Sequence, residues 1–115
     1  MKTDPSSTGD CYQAARNTLF ELWLRRERGD LGVKDVRLVH GTIVSSCGDA
    51  AGRRIDHAWV ELNGDTVVER SNGNDITMGK DDYCRLLQAV EDARYTLEET
   101  YREINRANRF GPWHK

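Results

Sequence analysis

The dipeptide Asn63-Gly64 constrains the fold of this chain more than any other feature. Asn-Gly suits the two positive φ angles of a tight hairpin turn, and here it separates two runs, residues 55–62 and 66–70, that carry Ile, Val, Trp and Thr. The pattern predicts an antiparallel hairpin. The length of its turn decides which side chains meet, because directly paired residues share a face. A two-residue loop of Asn63 and Gly64 sets Arg70 opposite His57 and turns Glu69 to the other face. A three-residue loop of Leu62, Asn63 and Gly64, with Gly64 left-handed, sets Glu69 opposite His57 and Val67 opposite Trp59.

Other elements follow from periodicity. Residues 36–44 are rich in β-branched side chains and predict a strand, followed by a small polar loop, 45–54, that holds Cys47. Upstream, Asp10 is placed as an N-cap, with Gln13 three residues on as its capping-box partner, which makes Cys11 the first helical residue. Ala15, Leu19, Leu22 and Trp23 recur at helical spacing, and Ala14, Phe20 and Leu24 widen the stripe, so this helix is expected to be the central one. After a glycine-containing loop, 71–79, Tyr83, Leu86, Leu87 and Val90 predict a helix over 81–90 with Cys84 in the core. Thr96 and Glu99 form a capping box that opens another helix, to about Ala107. Phe110-Gly111-Pro112-Trp113 reads as a tail packed by its aromatics, with His114 in solvent. The expected fold is α+β in one domain, 1–115, with 1–9 as loop: an N-terminal central helix on an antiparallel sheet of about three strands, then two C-terminal helices.

Composition narrows the function. With 115 residues, 31% of them charged, the chain has room for one core and one site. Seventeen basic and nineteen acidic side chains leave a net charge of -2, so no footprint for nucleic acid stands out. The arginines from Arg94 to Arg109 alternate with Glu98, Glu99 and Glu103 and read as a solvated helix face. No apolar run approaches the roughly 20 residues of a membrane span, and residues 1–10 lack an apolar signal core, which makes the cytoplasm the expected compartment and a membrane partner unexpected. The oligomeric state stays open.

Cys11, Cys47 and Cys84 are an odd count without CxxC spacing and fit neither a disulfide framework nor a common zinc module. His40 and His57 with Cys11 and Cys47 could nominally form a Cys2His2 set, but the tight ligand spacing is missing, and no metal or cofactor is expected. A thiol in the first turn of a helix feels the positive end of the macrodipole, which favours the thiolate. An isolated cysteine in register with Ala15 and Leu19 also reads as a buried structural residue. A nucleophilic thiol needs a base and a group that orients it. Alternation along Ile55 to Glu61 puts His57 and Trp59 on one face, Ala58 and Val60 on the other, and Glu69 stands on the next strand.

Gly9-Asp10-Cys11-Tyr12-Gln13-Ala14-Ala15, Leu38-Val39-His40-Gly41, His57-Ala58-Trp59-Val60-Glu61 and Val67-Val68-Glu69 occur in this order. In that arrangement the chain resembles the papain-like and transglutaminase-like thiol superfamily, and within it is most similar to small phage-type proteins, whose later segments resemble Ser71-Asn72-Gly73, Arg94-Tyr95-Thr96 and Gly111-Pro112-Trp113. The resemblance runs from Gly9 almost to the end. It implies a papain-like minimal core, with Cys11 as nucleophile, His57 as general base and Glu69 as the carboxylate behind the imidazole, where related proteins more often carry Asp or Asn. Papain-type enzymes also place a glutamine shortly before the cysteine, and Pro5 and Ser6 occupy that region here. The oxyanion hole then falls to the Cys11 amide and the Gln13 side chain, with Trp59 shielding the site.

The function implied is thiol-dependent acyl hydrolysis of a protein or peptide substrate: peptide or isopeptide cleavage, or deamidation of a side-chain amide. Two alternatives stand beside it: a non-catalytic protein on the same fold, binding a host factor during phage infection, and a transglutaminase-like transferase. If Glu69 points away from His57, Asn72 is the next candidate for the third role.

Overall fold

The computed structural model describes residues 8–45, 51–70 and 75–113, with side chains from Cys11 onward. The element order is α1 (Thr8–Glu27), β1 (Val36–Val44), β2 (Arg54–Leu62), β3 (Thr66–Glu69), β4 (Ile76–Gly79), α2 (Lys80–Leu87), β5 (Val90–Tyr95) and α3 (Leu97–Ala107). The α+β class holds, but the described sheet has five antiparallel strands, in the order β4-β3-β2-β1-β5. The expectation of about three is corrected by β4 and β5, both of them edge strands. Four-residue β4 lies within the expected loop 71–79, and β5 begins at Val90, the residue expected to end α2. Strand β4 alternates, with Ile76 and Met78 turned inward, but over only four residues; Val-Glu-Asp-Ala-Arg-Tyr carries the charges that guard an exposed sheet edge, and its pairing with β1 makes it a strand.

Nine residue pairs join β1 to β2, from Val36↔Leu62 to Val44↔Arg54. Both faces of this ribbon are covered. On one, Ala58, Val60, Leu38 and Val68 pack against Cys11, Tyr12, Ala15, Leu19 and Leu22 of α1, with Leu97, Ile104 and Ala107 of α3 alongside. On the other, Val39, Trp59 and Val67 pack against Tyr83 of α2. Helix α1 therefore lies on one face and is not enclosed. Phe20, expected to widen its buried stripe, is 36% exposed and rests against Trp23 and, across the α1–α3 seam, Tyr101. Trp113 is buried against the α1 face, as the aromatic tail predicted; His114 and Cys47 lie outside the described residues.

The hairpin turn is one residue later than the longer of the two expected forms. Asn63 (φ 58) and Gly64 (φ 79) are both left-handed, the Asp65 amide donates to the Leu62 carbonyl, and the first pair is Leu62↔Thr66. The Asn63 side chain accepts from the Lys34 and Asp35 amides at 2.8 and 3.0 Å and donates to the Gly32 carbonyl at 2.8 Å, tying the α1–β1 connection to the turn.

Gly41 of β1 sits opposite His57, where the register with β5 shifts. A Cβ there would lie 2.0 Å from the Val90 carbonyl oxygen and 3.0 Å from the Trp59 ring. Gly41→Ala is expected to cost about 2–3 kcal/mol and to loosen β5, read from urea midpoints and from lost amide protection over 90–95. A variant within about 0.5 kcal/mol of wild type would contradict this packing.

Candidate active site

The expected cap at Asp10 is corrected by the backbone: α1 begins at Thr8, so Asp10 is inside the helix and Cys11 is its fourth residue, at the end of the first turn. Gly9 does not prevent this, since one glycine in a helix costs only about 1 kcal/mol. Cys11 is 5% exposed. Gln13, the expected oxyanion donor, is exposed on α1, and Trp59 is 3% exposed with its ring 5.4 Å from that of Tyr83, packed behind the histidine.

His57 and Glu69 are brought together by the hairpin, in a register different from the expected one. Extending the pairs Leu62↔Thr66, Glu61↔Val67 and Val60↔Val68 sets Glu69 opposite Trp59 and not opposite His57. The parity is nevertheless the right one, so Glu69 shares the face of His57 and Trp59 as a diagonal neighbour, within reach of a long side chain. Its Oε1 lies 3.1 Å from His57 Nε2. With the ring protonated the contact is an ion pair, and it strengthens the hold of the imidazole on its proton. The extra methylene of Glu over Asp spans the diagonal.

Cys11 reaches the same imidazole from the helix on the opposite face, and its thiol is hydrogen-bonded to His57. The β2–β3 ladder stops at Val60↔Val68, three residues short of His57, and past its end a side chain from the α1 face meets one from the α2 face. With Nε2 turned to Glu69, Nδ1 is the ring nitrogen left for the thiol. Burial alone would lower the His57 pKa; the bond to Cys11, then the pairing with Glu69, outweigh it and push it from 6.5 up to about 9. His57 thus stays an imidazolium through neutral pH.

The other strand histidine is a core residue. His40 pairs with Ala58 and so faces away from His57. It is fully buried between Tyr12, Tyr95 and Trp113, with ring centroids 4.8, 5.2 and 4.8 Å away. Arg94, expected on a solvated helix face, stands on β5 and binds buried Glu61 through both oxygens, at 3.1 and 3.3 Å, with Lys80 3.0 Å from the same carboxylate. Asn72 lies outside the described residues.

Tyr83 was not singled out for the site by its sequence, where helical spacing marks it only as core. Its hydroxyl donates a hydrogen bond to Glu69 Oε1, and the residue is fully buried. A buried tyrosine needs an acceptor for its hydroxyl and a buried carboxylate needs donors, which is the signal that links the two.

No protein family matches the chain, and neither does any curated protein or solved structure.

A group whose folded pKa is raised adds stability that is complete below its unfolded pKa and is lost as pH rises through the folded value. For His57 the window is pH 6.5 to about 9. Glu69→Gln removes one of the two groups that raise it. The His57 midpoint, followed by NMR of its ring protons, is expected to fall below that of wild type, and denaturant-measured stability to decline less across this window. An unmoved midpoint would assign the raised value to Cys11 alone.

Proposed function

We propose that the protein is a thiol-dependent acyl hydrolase acting on a protein or peptide substrate, on a papain-like core, with Cys11 as nucleophile and His57 as its base. The observation that supports this reading is that three separate elements contribute a thiol, an imidazole and a carboxylate in one buried line. In the reaction so envisaged, the reacting form is the ion pair in which the Cys11 proton already resides on His57 Nδ1, and the thiolate sulfur attacks the carbonyl carbon of an amide. The imidazolium then protonates the departing nitrogen, and the C–N bond breaks to leave a thioester. Water, deprotonated by His57, attacks the thioester; the C–S bond breaks, and acid is released with the thiol restored. Glu69 holds the ring so that Nδ1 faces the sulfur and stabilises the imidazolium. Peptide cleavage and side-chain deamidation share these steps and differ only in which nitrogen leaves.

The 5% exposure of Cys11 favours a second reading, a binding module on the same fold. Iodoacetamide below pH 7 and turnover of a peptide library followed by mass spectrometry separate the two. On the hydrolase reading, Cys11 is alkylated ahead of Cys47 and Cys84, and cleaved or deamidated peptides accumulate. Cys11→Ser abolishes turnover with the fold retained, and His57→Ala lowers it by about 10²- to 10⁴-fold. Equal labelling of the three cysteines, with no peptide changed, leaves the binding module.

A further inference from the structure

Glu69 Oε1 is claimed twice, by the Tyr83 hydroxyl and by His57 Nε2. We propose that Tyr83 is a positioning residue of the site, which sets how strongly Glu69 acts on His57 by taking a share of that oxygen's charge. The inference rests on the reading of Cys11, His57 and Glu69 as one site, but it concerns a residue outside that triad.

Three observations carry it. The Tyr83 hydroxyl donates to the same Oε1 that lies 3.1 Å from His57 Nε2, so the two groups compete for one oxygen. Tyr83 does not need this hydroxyl to hold its ring, which is packed against Trp59 within the cluster of Val39, Ile43, Trp59 and Val67. Burial, first, and then the neighbouring Glu69 push the pKa of the hydroxyl up, which keeps it a donor through the His57 titration.

Among the described residues, few other charges reach the pair. Helix α1 contributes Cys11 and α2 contributes Tyr83 and Cys84. From β1, Val39 and Gly41 lie opposite Trp59 and His57, and from β4, Ile76 lies opposite Glu69; none is charged. Glu61, farther along the same face of β2, is compensated by Lys80 and Arg94, and Arg70, next to Glu69, is engaged by Glu21 and Asp75. A donor removed from Glu69 is therefore felt mainly at His57. A carboxylate deprived of one donor becomes the more basic and binds the imidazolium more strongly.

Tyr83→Phe keeps the ring and removes only the oxygen. The His57 midpoint, measured by NMR, is expected to rise by about half a unit to one unit. The alkaline limb of the peptide-turnover profile is expected to move with it. In Glu69→Gln the added Tyr83→Phe change should leave the His57 midpoint within about 0.2 units, because the tyrosine acts through the carboxylate. In the wild-type protein, labelled at the tyrosine ζ carbon, the Tyr83 signal should titrate with the His57 midpoint, a reading that needs no variant to fold. A His57 midpoint that stays or falls in Tyr83→Phe, or a Tyr83 signal flat through the His57 titration, would overturn the proposal. If turnover that requires Cys11 persists while these signals stay flat, only the role of Tyr83 fails. If the midpoint rises as expected and no peptide is turned over, the hydrolase reading fails and the coupling stands.

Discussion

The pairing of β1 with β2 is the constraint on which the rest of the structure depends. Its nine pairs place Gly41 opposite His57 and Val39 opposite Trp59, and they fix which side of the sheet each residue of β2 presents. A slip of one residue would exchange the faces, sending His57 and Glu61 toward α1 and Ala58 and Val60 toward α2. Burial on both sides forbids that slip, because each face is already matched to a helix: small and branched apolar residues under α1, and a mixture of aromatic and ionisable ones beside α2.

That division leaves the sheet with an unusual load of buried polar groups, and each is handled differently. Glu61 is neutralised by two cations. His40 is enclosed by three aromatic rings on the α1 face. Glu69 and His57 face each other, with the tyrosine on one side and the thiol on the other. A buried ion pair gains little net stability once desolvation is subtracted, so the Glu61 cluster and the His57–Glu69 pair need complete hydrogen bonding to persist at all. The two differ in what lies beside them. The Glu61 cluster is ringed by counter-charges, whereas the His57 pair ends in a thiol, the strongest nucleophile among these groups once it is ionised.

The meeting of Cys11 with His57 depends on where β3 stops. The helix that carries the thiol belongs to one face and the histidine to the other, and the β2–β3 ladder runs out at Val60↔Val68. The same short strand brings Glu69, its last residue, onto the histidine's face. One feature of the hairpin, a turn a residue longer than the tightest form, thus supplies both the carboxylate and the place where thiol and imidazole meet.

Much of this was legible in the chain itself, because it depends on local chemistry. Asn63-Gly64 announced the hairpin, alternation put His57 and Trp59 together, the Thr96–Glu99 capping box marked the start of α3, and the helical spacing of Cys11, Ala15, Leu19 and Leu22 chose the buried side of α1. Those signals act between neighbours in sequence, at the turn, the pleat and the helical repeat. What tertiary structure alone decided acts between residues far apart. Strands β4 and β5 are strands because β3 and β1 offer them ladder partners, and Arg94 left the expected helix face for Glu61 for the same reason. The diagonal relation of Glu69 to His57 hung on a single residue of turn length. The bond from Tyr83 joins residues fourteen apart in sequence, through a helix whose apolar spacing accounts for the ring and says nothing of where its hydroxyl will find an acceptor.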